Sequence, residues 1–210
     1  MKIVCMSDIH GQYPKFKFKI PDGDVFIFTG DISHNSLEDL NIKMFNKFLN
    51  TLPHKHKIII CGNHDFIFEK YDGNELLIGE GIHYLQDSEI VIDGVKFYGS
   101  PWQPWFYGWA FNLMRGKALE EIWAKIPKDV NVLLTHGAPK GILDMTEQGD
   151  ATGCVDLRAR LQDLHDLKLH CFGHIHCAYG VDVIEGVTFV NASTCNEQYE
   201  PTNSPIVVEI

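Results

Sequence analysis

The sequence predicts a layered α/β sandwich built on a mixed β-sheet. Strand-like apolar runs alternate with helix-like periodicities through most of the chain, and hairpin-like strand pairs follow towards its end. Several of the apolar runs also break abruptly into Gly, Asp, Asn or His, and strand C-termini are where open α/β sheets place their sites.

The elements follow in order. Lys2–Met6 forms the first strand and runs into Ser7-Asp8. Asp24–Thr29 is the second and ends in Gly30-Asp31. Residues 36–52 carry Leu37, Leu40, Met44, Phe45, Phe48 and Leu49 at helical spacing, with Ser36 as N-cap and Pro53 as stop. Lys57–Cys61 is the third strand, breaking at Gly62-Asn63-His64-Asp65. Residues 66–88 read as irregular. Glu89–Ile92 and Val95–Tyr98, joined by Asp93-Gly94, make a hairpin. An aromatic block, Pro101 to Trp109, precedes a helix over Lys117–Ile126 that Pro127 stops.

Asp129–Thr135 is a further buried strand, ending in His136-Gly137. Residues 138–154 form a long loop, a length that usually carries function or disorder. Val155–Leu167 is an amphipathic helix, and Leu169–Phe172 a short strand ending in Gly173-His174-Ile175-His176. Two strand pairs close the chain, one around Glu185-Gly186 and one from Thr188 to Ile210. No repeat, low-complexity tract or linker interrupts residues 1–210, which are expected to form one domain.

Composition narrows the function. An apolar share of 45% supports a sizeable core, and a formal net charge of −10 argues against a protein that wraps long nucleic acid. The six cysteines contain no CxxC pair and read as buried hydrophobes in a reducing compartment. The first strand starts at once, leaving no room for a signal peptide, and no apolar stretch reaches membrane-spanning length. A soluble, cytoplasmic protein without a membrane partner is expected. His54 and His56, set among lysines, are expected to be exposed; His83, His165 and His170 are expected to be structural.

The polar residues after the strands are Asp8 and His10, Asp31, Asn63 and His64, His136, and His174 and His176. Converging at one sheet edge, two carboxylates, one amide and four imidazoles could ligate a pair of divalent metals. Mixed nitrogen and oxygen donors suit manganese, iron or zinc, and a carboxylate such as Asp31 can give one oxygen to each ion.

These motifs resemble the calcineurin-like metallophosphoesterases: Asp8-Ile9-His10, Gly30-Asp31, Gly62-Asn63-His64-Asp65, Thr135-His136-Gly137 and Gly173-His174-Ile175-His176. Gly99–Pro104, Trp109–Leu113, Val190–Ser193 and Asn203–Val207 resemble its MPPED-type branch. The resemblance spans nearly the whole chain. It implies an αββα sandwich of two mixed sheets flanked by helices. It implies one metal held by Asp8, His10, Asp31 and His176, and another held by Asp31, Asn63, His136 and His174. Two such ions lower the pKa of a bridging water, giving a hydroxide for in-line attack on a phosphoester. His64 would then stabilise the phosphoryl group or protonate the leaving oxygen, and Asp65 would orient a neighbour or cap the turn.

One departure stands out. Many protein phosphatases of the superfamily carry an aspartate three residues after the bridging one, followed by an arginine. This chain has His34 and Asn35 there, which disfavours a protein-phosphatase reading and leaves the orientation of His64 unassigned.

The expected activity is a phosphodiesterase acting on cyclic nucleotides or similar small phosphodiesters. A phosphomonoesterase or dinucleotide polyphosphate hydrolase is the alternative enzyme, and a nucleotide-binding regulator with weak turnover the non-enzymatic one. Besides Asn63 and His64, Trp102, Trp105, Asn112 and Arg115 are the candidate substrate contacts. The aromatic block would then stack a base, worth about 1–3 kcal/mol; ordinary core is the other reading of that block.

Overall fold

The computed structural model describes residues 1–34 and 39–210. In chain order its elements are β1 (Lys2–Met6), β2 (Val25–Thr29), α1 (Asp39–Leu49), β3 (His56–Ile60), α2 (Gly73–Leu76), β4 (Ile82–Tyr84), β5 (Ser88–Ile92) and β6 (Val95–Ser100). Then come β7 (Gln103–Pro104), β8 (Asn112–Leu113), α3 (Lys117–Trp123), β9 (Val132–Thr135), α4 (Val155–Leu161), β10 (Leu169–Phe172), β11 (Gly180–Ile184), β12 (Val187–Asn191) and β13 (Ile206–Glu209).

Two mixed sheets stack face to face. The first has the order β13-β1-β2-β3-β4, and the second β11-β12-β10-β9-β6-β5. Strands β1 to β4 run parallel, as do β6, β9, β10 and β12, while β13, β5 and β11 are the antiparallel edges. Side chains alternate across each strand and so feed two cores. Ile3, Cys5, Val25, Ile27, Ile58 and Ile60 meet Phe97, Val132, Leu134, Leu169, Cys171 and Val190 between the sheets. Val4, Met6, Phe26, Phe28 and Ile59 point the other way, onto Ile42, Phe45 and Leu49 of α1. On the far side, Tyr98 and Leu133 pack with Leu119 and Trp123 of α3 and Leu157 of α4. The layers are therefore helix, sheet, sheet, helix, the calcineurin-like arrangement.

Because both inner strand sets are parallel, the C-terminal ends of β1, β2, β3, β9 and β10 share one rim. The sheets meet there, where Ser7 after β1 bridges Ser193 after β12, and within the second sheet the Gly173 amide donates to the His136 carbonyl at 2.9 Å.

The expectations differ from this fold in several places. α1 covers only Asp39–Leu49 of residues 36–52, Leu40 is 61% exposed, and the proposed cap Ser36, with Leu37 and Asn35, lies outside the described residues. α3 and α4 end at Trp123 and Leu161 rather than at Ile126 and Leu167. Tight turns replace the last helical turns, as where the Leu164 amide bonds the Leu161 carbonyl. The closing strand β13 does not pair with β12; it crosses to the other sheet and lies against β1, Val4 opposite Val207. His54 is buried against Phe26, ring centroids 5.5 Å apart, so its lysine neighbours misled the exposure reading. His165 is exposed rather than structural, whereas His170 is fully buried. Cys177 is the exposed exception among six free cysteines. No helix among the described residues is long and apolar enough to cross a membrane.

Candidate metal centre

The strand ends hold their polar residues in unusual backbone. Asp8, His10, Asp31 and His174 have φ of 50°, 42°, 59° and 70°, the left-handed region that residues with a Cβ rarely occupy. Such residues cost of order 1–3 kcal/mol each and persist where the surroundings over-determine them. Two glycines allow the close approach. A Cβ on Gly62 would lie 2.3 Å from Asp31 Oδ1, and one on Gly173 would lie 2.0 Å from Asp8 Oδ2.

The side chains then converge in three overlapping clusters: Asp8, His10 and His176; His10, Asp31 and His64; and Asp31, His136 and His174. Within each, the candidate ligand atoms all lie within 4.8 Å of one another. Asn63 joins the last cluster, its Oδ1 2.9 Å from His136 Nε2. Asp31 Oδ2 sits centrally, 3.3 Å from His136 Nε2, 3.7 Å from His10 Nε2 and 4.0 Å from His64 Nε2.

The imidazoles are aimed by the backbone. Nδ1 of His10, His136, His176 and His64 lies 3.1, 2.8, 3.0 and 2.9 Å from the carbonyls of Ser33, Thr29, Asn196 and His34. A carbonyl only accepts, so each Nδ1 carries the proton and donates. Each Nε2 is then the ring atom left to face the centre, the arrangement metal-ligating histidines adopt. Nε2 of His10 and Nε2 of His176 face each other at 3.2 Å, so both can turn a ring nitrogen to one ion. The donor set thus fits a pair of divalent cations.

In the metal-free centre the carboxylates draw protons onto His136 and His176, protons that a bound cation would displace. Burial opposes ionisation of Asp8, but the His176 hydrogen bond and the nearby imidazoles outweigh it and hold its carboxyl below the ordinary range. Burial likewise opposes a charge on His136, yet Asp31 and Asp8 together hold its imidazole up at about 9. Burial dominates at His10 and His174, held down at about 4 and about 3.

Supporting residues complete the frame, Ser193 and Asn196 among them without a role expected from the sequence. Ser193 Oγ donates to Asp8 Oδ2 at 2.8 Å, and the His174 amide donates to both Asp8 oxygens at 3.0 and 3.1 Å. Asp65 accepts from the amides of Gly62, Ser33 and Ile32, so it ties the β2 and β3 loops together rather than orienting an imidazole. His34 supplies its carbonyl to His64, doing with backbone what the missing aspartate does elsewhere. Asn196 gathers its turn, accepting at Oδ1 from the Gln198 and Glu200 amides. That turn places Tyr199, at φ 58°, edge-on to His10 with centroids 4.8 Å apart. A run of Asn, Glu, Gln and Tyr so far along the chain carried no signal of this role.

A cavity of about 510 Å³ opens over the centre. Trp105, Phe106 and Trp109 line it together, and Trp109 packs on His64 with centroids 4.3 Å apart and the rings tilted by 36°. Arg115 lines the cavity but donates to the carbonyls of Gly153 and Thr152, so it anchors the 138–154 loop rather than standing free for a phosphate. Trp102 and Asn112 do not line it. Trp102 packs on Phe111 and donates Nε1–H to Asp87, and the Asn112 amide donates to the Phe106 carbonyl. Both help hold the aromatic segment in shape, whereas the sequence reading placed them against substrate.

Comparison with known proteins agrees. Residues 1–178 match the family described as Calcineurin-like phosphoesterase. The chain belongs to this family. It is 41% identical to Metallophosphoesterase domain-containing protein 1 of Homo sapiens and of Mus musculus, over all of this chain and 71% of each relative. A UPF0046 protein of Caenorhabditis elegans is 37% identical over all of this chain and 75% of its own length. The MPPED-type branch is thereby supported, and a phosphoester hydrolase using divalent metals is the activity that goes with the family.

Proposed function

We propose that the chain hydrolyses small phosphodiesters, cyclic nucleotides among them, at a dinuclear metal centre. The observation that carries this reading is the three donor clusters, linked in a chain through His10 and then Asp31, beside an aromatic-lined cavity. Asp8, His10, Asp31 and His176 would hold one ion, and Asp31, Asn63, His136 and His174 the other. When bound, the pair supplies Lewis acidity and an acidified water.

The chain's own residues do the rest. His64, with its Nδ1 proton committed to the His34 carbonyl, presents Nε2 to the cavity, and in its doubly protonated form would donate from Nε2 to the leaving oxygen or a phosphoryl oxygen. Trp109 packed on His64 restricts its rotation and screens it from water. Trp105 and Phe106 offer faces against which a base would stack. Arg115 holds the opposite wall through the loop carbonyls.

The test is hydrolysis of bis(p-nitrophenyl) phosphate beside p-nitrophenyl phosphate, using metal-stripped protein restored with Mn²⁺, Fe²⁺, Zn²⁺ or Mg²⁺. Diester turnover that needs metal and is lost in Asn63→Ala and His64→Ala is the expected result. Monoester preference would favour a phosphomonoesterase. Tight nucleotide binding without turnover under saturating metal would favour a regulator.

A further inference from the structure

The outer cavity carries an unexpected charge for a site that handles phosphate. Among the described residues lining it beyond the metal cluster and His64, the charged side chains are Arg115, Glu147 and Glu197. Arg115 directs Nη1 to the Gly153 carbonyl at 2.9 Å and Nη2 to the Thr152 carbonyl at 2.7 Å. The two-pronged edge that grips phosphates elsewhere is therefore already occupied. Glu147 and Glu197 are exposed, and Glu197 is pinned at the rim by the Cys177 amide, which donates to its Oε1 at 3.0 Å. The same cavity is also lined by Trp105, Phe106 and Trp109.

Resting on the phosphoesterase reading above, we propose that the site accepts substrates with a single phosphoryl group and a flat, non-anionic remainder. Glu147 and Glu197 reject any second phosphate. The first phosphoryl group meets the metal-ligand floor. A second one, further along a di- or triphosphate, would stand in the outer cavity against two carboxylates. No ammonium and no free guanidinium fork lines that region among the described residues. Like-charge juxtaposition is the ordinary physical means of excluding a competing ligand. An uncharged base instead gains the aromatic wall. Polyphosphates and dinucleotide polyphosphates are thus outside the substrate class, although they share the base and the first phosphoryl group.

The experiment is a calorimetric titration of Mn²⁺-restored protein with AMP, ADP and ATP, with Mn²⁺ in excess of nucleotide throughout. Affinity is expected to fall with each added phosphate, by about tenfold or more from AMP to ATP. Glu147→Lys, on an exposed loop, is expected to recover most of that ratio at low salt, and Glu147→Gln part of it. ATP binding as tightly as AMP, or a ratio unchanged in Glu147→Lys, overturns the proposal. Diester hydrolysis measured on the same preparation separates the two readings. A steep ladder without hydrolysis refutes only the enzyme, and hydrolysis with a flat ladder refutes only the selection.

Discussion

Ser193 gives the sharpest check on how the metal-ligand frame is held. Its hydroxyl donates to Asp8 Oδ2 at 2.8 Å, both residues are fully buried, and the same carboxylate also accepts from the His174 amide and faces His176 Nε2 at 3.6 Å. Ser193→Ala leaves a buried ionised oxygen short of one charge-assisted hydrogen bond. Bonds of that kind contribute about 1.5–3 kcal/mol. For a chain of this size that corresponds to a fall in Tm of about 3–12 °C. Removing such a supporting contact also typically costs about 10–100-fold in metal affinity. The assays are thermal unfolding of the metal-stripped protein and Mn²⁺ competition against a chelator. A variant unchanged in both would refute the reasoning, because it would mean that Asp8 is oriented without Ser193. A Tm loss alone, with metal affinity intact, would confine the hydroxyl to the fold.

Three further outcomes follow from the same geometry. Trp109→Ala should lower kcat on bis(p-nitrophenyl) phosphate by freeing His64. Trp102→Ala should instead lower stability, by about 3–5 kcal/mol, and leave KM for nucleotides unaltered; a KM effect confined to Trp102 would return it to the substrate wall. Gly173→Ala, whose Cβ would fall 2.0 Å from Asp8 Oδ2, should give a protein that fails to retain metal on gel filtration, and full retention would refute the close-approach argument. Burial holds His170 down at about 3 from 6.5. The unfolded chain therefore takes up a proton first, and this contribution is complete above about pH 6.5 and lost as pH falls towards 3. The slope is at most about 1.4 kcal/mol per pH unit. Comparing urea midpoints of wild type and His170→Phe across that window should show a flatter profile for the variant, and parallel profiles would count against it.

Much of the layout was legible because strand ends are marked locally. Gly30-Asp31 and Gly62-Asn63-His64 sit directly after apolar runs, and a parallel strand set carries such ends to one rim whatever the loops do. The hairpin at Asp93-Gly94 was legible for the same local reason. Helix lengths were less so, since α4 gives way to tight turns after Leu161 although Leu164 and Leu167 continue the amphipathic pattern and stay buried in the same core as Leu119 and Trp123. His54 and Leu40 were misjudged because exposure depends on what the rest of the chain lays against a side chain. Trp102, Trp105 and Trp109 look alike in sequence, yet only the last two line the cavity.

The sequence by itself determined the donor inventory, the family and the layered α/β class, all of which follow from residue types at strand ends and from hydrophobic period. Tertiary structure alone decided which carbonyl aims each imidazole, why His34 substitutes through its backbone, and how the turn at Asn196 brings Tyr199 over His10. Those contacts join residues as much as 189 positions apart, as Tyr199 and His10 are. Such proximity is created by packing two sheets together and leaves no periodic trace along the chain.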